Sequence, residues 1–79
     1  MIEIKQKVDE IIDYYLVPIG EFTPESRLIE DLGADELDVV EVVMAVEMTF
    51  DIDIRDNECV EIKTVQDIYN IVEQKLQNK

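Results

Sequence analysis

Asp31-Leu32-Gly33-Ala34-Asp35-Glu36-Leu37-Asp38, running on into Val39-Val40-Glu41-Val42-Val43-Met44-Ala45-Val46-Glu47-Met48-Thr49-Phe50, is the stretch that decides the fold. Asp35 stands where a helix N-cap is wanted, and Glu36, Asp38 and Glu41 then fall near the positive amino-terminal end of the helix it opens. Val39, Val43, Val46 and Phe50 recur at four, three and four residues, which directs one face at a core. The other side carries Glu36, Asp38, Glu41 and Glu47 around the apolar residues Leu37, Val40 and Met44. A row of carboxylates around a small apolar patch suits a transient partner of basic proteins: long-range attraction speeds encounter, and a small contact keeps the complex weak enough to part. Leu37 and Met44 also fit an ordinary core, Asp35 a plain cap, and the acidic residues a merely solvated face.

Outward from this helix, the spacing predicts helices on both sides. Over residues 2–17, Ile4, Val8, Ile11, Ile12, Tyr15 and Leu16 recur at helical intervals between charged neighbours, and Pro18 and Gly20 end the run. The long connection that follows contains Thr23-Pro24-Glu25, which reads as an N-cap with proline at the first helical position and hence a single helical turn. Phe22, Leu28, Ile29 and Leu32 are apolar residues able to pin that connection to the core, as a packed loop of this length requires. Beyond the acidic helix, a short helix is expected over residues 57–61. Thr64 then caps a last helix carrying Val65, Ile68, Val72 and Leu76, with Asp67 where a capping box prefers Glu or Gln. The fold expected is all-α, a small four-helix bundle of three main helices plus a short third one, with a long first loop, in one domain over residues 1–79.

Twenty acidic residues against seven basic ones give a net charge of −13, which disfavours nucleic acid and anionic membranes and favours partners with basic patches. The same repulsion should raise the average carboxylate pKa in the folded state, so that mild acid, salt or divalent cations stabilise it. The single cysteine, Cys59, has no internal disulfide partner and no basic neighbour to lower its pKa, so a small part-buried residue is expected rather than a nucleophile. No signal-like start and no apolar run of ~20 residues occurs, and the expectation is a cytoplasmic monomer without membrane insertion.

No catalytic constellation is present, and the chain is not expected to be an enzyme. It has no His, no Cys pair and no glycine-rich phosphate loop, which removes support for zinc and nucleotide sites. The segment from Asp51 to Asp56 fails as a calcium loop because Arg55 occupies a ligand position, Asp56 stands where glycine is needed, and Ile62 replaces the closing glutamate. No metal ligands are assigned.

Thr23-Pro24-Glu25-Ser26-Arg27-Leu28, residues 31–35, Leu37-Asp38, residues 41–47, Phe50-Asp51 and Lys63-Thr64-Val65 together make the chain resemble the acyl carrier proteins over nearly its whole length. The resemblance implies a four-helix bundle that shuttles acyl chains between enzymes of fatty-acid or polyketide synthesis. It places Asp35, Leu37, Asp38, Glu41, Met44 and Glu47 on the enzyme-recognition surface, with Val40 among the exposed apolar residues. Met48 departs from the acidic residue often found at its position. Glu36 falls where the family carries the serine that accepts 4′-phosphopantetheine from coenzyme A. A carboxylate offers no hydroxyl oxygen for the arm, so no cofactor is expected on the chain as written. Ser26, the only serine, belongs to the loop turn, and Thr23 and Thr64 read as caps. The partners implied are acyl-chain synthesis enzymes or a phosphopantetheinyl transferase, met through their basic patches. The alternative is a non-carrier interaction or regulatory module that uses the same acidic helix.

Overall fold

The computed structural model describes residues 4–16 and 20–78, which form four helices: α1 (Ile4–Leu16), α2 (Glu36–Phe50), α3 (Asp56–Cys59) and α4 (Val65–Gln77). α1 packs against α2 and α4, and α2 against α4, so the three long helices close on one core as their apolar spacing requires. That core joins Val8 and Ile12 of α1, Val39, Val42, Val43 and Val46 of α2, and Val65, Ile68 and Val72 of α4. Leu28, Ala34, Ile54 and Ile62 from the connections complete it. The expected core face of α2 is present, widened by Val42, while Phe50 is half-buried at its end. Tyr15 lies on the rim of its helix, exposed rather than facing inward. Val17 and Pro18, expected to finish α1, lie outside the described residues.

The long connection is packed, although its local form differs from the expected helical turn. Thr23 to Ser26 makes a β-turn closed by the Ser26 N–H donating to the Thr23 carbonyl at 3.0 Å, with Pro24 and Glu25 at its centre. Proline suits the second position of such a turn as well as the start of a helix, and tertiary pairing decides between them. The chain after the turn runs antiparallel to the entry of α4: Arg27 bridges Thr64, Leu28 N–H donates to the Lys63 carbonyl at 2.9 Å, and Val65 N–H donates to the Ser26 carbonyl at 3.1 Å. A continued helix would have left those backbone groups unpaired. A helix-like turn forms one step later, where the N–H groups of Asp31 and Leu32 both donate to the Arg27 carbonyl. Phe22, Leu28 and Leu32 pack inward as expected, but Ile29 is 50% exposed.

α4 begins with a complete capping box: the Asp67 N–H donates to Thr64 Oγ1 at 3.2 Å, and Asp67 Oδ2 accepts the Thr64 N–H at 3.0 Å. The shorter Asp side chain serves where Glu was preferred, and it also accepts the Lys63 N–H at 2.8 Å. α1 and α4 are further joined by the Tyr69 hydroxyl, which donates to Asp9, a carboxylate that also pairs with Lys5 at 2.9 Å.

Candidate functional site: the amino-terminal end and outer face of α2

Gly33 turns the chain into α2 at φ +77°, a conformation that a Cβ disfavours, and it delivers Ala34 into the core with its N–H on the Leu28 carbonyl at 3.0 Å. Asp35 then adopts an extended N-cap conformation. Its Oδ1 accepts the Asp38 N–H at 2.9 Å, while Asp38 Oδ2 accepts the Asp35 N–H at 3.1 Å. Two of the carboxylates expected on the recognition face therefore also build the helix start, and Asp38 is half-buried. Glu36 is the first residue of α2 and is exposed, with its charge at the positive end of the helix.

The outer face of α2 carries Leu37 at 73% exposure, Val40 at 43% and Met44 at 55%, which places Met44 on the surface rather than in the core. Glu41 lies exposed among them. Met48 continues the row at 83% exposure. Sequence reasoning left it out of the site, although its four-residue step from Met44 placed it on the same side. Glu47 differs from the others: it is half-buried and its Oε2 accepts the Ile54 backbone N–H at 2.7 Å, so its carboxylate is turned toward the α2–α3 connection.

Beside Glu36 lies a groove of about 440 Å³ between α2, α3 and the first loop. Val39, Val40, Cys59, Val60 and Ile62 line it with Leu28 and Ile29, and Glu30, Glu36 and Lys63 supply its polar edge. The exposure of Ile29 is thus the exposure of a groove wall. Burial pushes the Cys59 thiol up from its usual range, helped by the negative charges of Asp56 and Glu47, so it is a lining residue and not an activated nucleophile.

Two carboxylates elsewhere are held below their usual range by local hydrogen bonds, against the direction in which net repulsion moves the average. Asp31 is lowered chiefly by accepting the Arg27 backbone N–H at 2.7 Å, and Glu58 by accepting that of Arg55 at 2.9 Å and then by Lys75. A backbone donor at hydrogen-bond distance acts on one carboxylate more strongly than diffuse repulsion does. Among the described residues no group of three or more His, Cys, Asp or Glu is placed to hold a metal ion, and no helix is long and apolar enough to cross a membrane.

Comparison with known proteins places this arrangement in a family. Residues 3–72 match the family model described as a phosphopantetheine attachment site. The acyl carrier protein of Helicobacter hepaticus is 51% identical over 63 residues, covering 80% of this chain and 83% of that protein. The acyl carrier protein of Amoebophilus asiaticus is 44% identical over the whole of both chains. The crystal structure of an acyl carrier protein from Thermotoga maritima superposes with a TM-score of 0.80 at 32% identity, covering 92% of this chain and 86% of that one. The chain belongs to the acyl carrier protein family, whose members are carriers rather than enzymes and work with synthesis enzymes and the transferase that loads them.

Proposed function

We propose that this chain keeps the docking face of an acyl carrier protein and is locked in the apo form, without a phosphopantetheine arm. The observation that carries the reading is Glu36, exposed at the first position of α2, next to the capping Asp35 and at the edge of the groove. Loading would need a hydroxyl oxygen that gives up its proton, attacks the pantetheine-side phosphorus of the coenzyme A pyrophosphate, breaks the P–O–P bond so that the adenosine bisphosphate half leaves, and stays bonded in a phosphodiester. A carboxylate in that position would give an acyl-phosphate anhydride, which water cleaves, so the side chain present does not fit the group. Ser26 offers no substitute within the turn, where its Oγ accepts the Thr23 N–H at 2.9 Å.

Asp35, Leu37, Asp38, Val40, Glu41, Met44 and Glu47 form the partner-binding surface in this reading. Support comes from an exposed apolar row edged by carboxylates on a protein of net charge −13, which suits basic patches on acyl-chain synthesis enzymes or a phosphopantetheinyl transferase. The chain acts as a cytoplasmic monomer, one domain over residues 1–79. The second reading, a regulatory module that docks without carrying anything, draws on the same missing hydroxyl. The two separate on one variant. Glu36→Ser, incubated with coenzyme A and a phosphopantetheinyl transferase, should gain the arm if the carrier surface is intact; a variant that stays unmodified beside a loaded control carrier favours the regulatory module.

A further inference from the structure

α3 supplies Cys59 to the groove wall, continued by Val60, yet none of the four residues of α3 is buried. A helix this short has little stability of its own, so its placement depends on what holds its flanks. Ile54 before it and Ile62 after it are core residues. Polar ties act between them. The Glu47 carboxylate takes the Ile54 N–H at 2.7 Å, and the carbonyl of the same residue accepts the N–H groups of Asp51 and Ile52. On the α4 side, Glu58 accepts the Arg55 N–H and pairs with Lys75 at 2.9 Å. The Glu47 bond is charge-assisted and part-buried, which puts it among the stronger hydrogen bonds a side chain makes.

We propose that Glu47 is a latch: its carboxylate fixes the connection into α3 and so sets how often the α3 wall moves away from α2 and opens the groove beside Glu36. This goes beyond the proposed function and does not depend on whether an arm can be attached. It also gives Glu47 a different task from exposed Glu41, although the two lie on the same helix and carry the same charge.

Cys59 is a built-in reporter, because its thiol lines the groove and is part-buried. The full chain and its Glu47→Ala, Glu47→Gln and Glu41→Ala variants are compared by amide exchange at Ile54 and by alkylation of Cys59 with the neutral reagent iodoacetamide. Removing Glu47 also removes a charge that raises the thiol pKa, so each alkylation rate is divided by the thiolate fraction from its own pH titration. Glu47→Ala should raise both corrected rates by roughly tenfold, the change that ~1.4 kcal/mol of lost local stability gives. Glu47→Gln, which keeps an acceptor oxygen, should fall between, and Glu41→Ala should match the parent. The latch is overturned if Glu47→Ala exchanges and alkylates at parental rates, if Glu41→Ala rises equally, or if the rise is the same at core amides of α2 and α4. Should Glu47→Ala fail to fold, Glu47→Gln is read against the same criteria.

Discussion

At Glu36 two electrostatic effects oppose each other. The positive end of α2 favours its charge by ~0.3 to 1 kcal/mol, while Asp35 and Asp38 beside it repel it by a similar amount. The side chain is exposed, and among the described residues no hydrogen bond or ion pair holds it. Glu36→Ser should therefore change folding stability by less than about 1 kcal/mol in a urea titration; a larger loss would reveal a structural partner for the carboxylate. The outer face of α2 was legible to the same depth. Val40 stood out from the sequence because its step falls outside the core row, and Leu37 and Met44 were open to a core reading as well until their neighbours were in place. Glu47 was legible only in part: its position on the helix border lets the side chain reach either outward or back to Ile54, and the bond to the Ile54 N–H depends on the path of the following connection.

For whole elements, capping chemistry carried the reading. Asp35 and Thr64 each start a helix as their residue types demand, with reciprocal bonds from Asp38 and Asp67. Replacing Thr64 by Ala should cost about 1 kcal/mol of stability, measured by urea denaturation. Asp67→Ala should cost at least as much, because Asp67 serves the N–H groups of both Lys63 and Thr64. Equal stability of Asp67→Ala and the parent would mean that water replaces both bonds without loss. The first loop was less legible. Proline after threonine fits a helix start and a β-turn alike, and the pairing of Arg27 with Thr64 across the fold is not visible in local sequence. α3 was expected at residues 57–61 and occupies Asp56–Cys59, a shift of the size that weak local signals allow.

Across the molecule, the charge of −13 and the local hydrogen bonds act in opposite directions on acid stability. Diffuse repulsion is relieved as carboxylates protonate, so salt should raise the thermal midpoint through screening at a Debye length of ~10 Å near 0.1 M. Asp31 and Glu58 have lowered folded pKa values, so their contribution is present above the ordinary carboxylate range and is lost as pH falls through the folded values. At the alkaline end, Tyr69 is pushed above its ordinary value of 10.0 by burial first and then by its bond to Asp9. Its contribution is whole below that value and is lost as pH climbs toward the folded one. The midpoint of the parent should fall more steeply than that of Tyr69→Phe from pH 10.0 upward; parallel curves would remove Tyr69 from the alkaline response. The decisive measurement remains the intact mass of the full chain purified from cells with an active phosphopantetheinyl transferase and incubated again with coenzyme A, beside a control carrier that loads. An apo-locked carrier predicts the unmodified mass throughout, and a stable added phosphopantetheine mass on the Glu36 chain would contradict it.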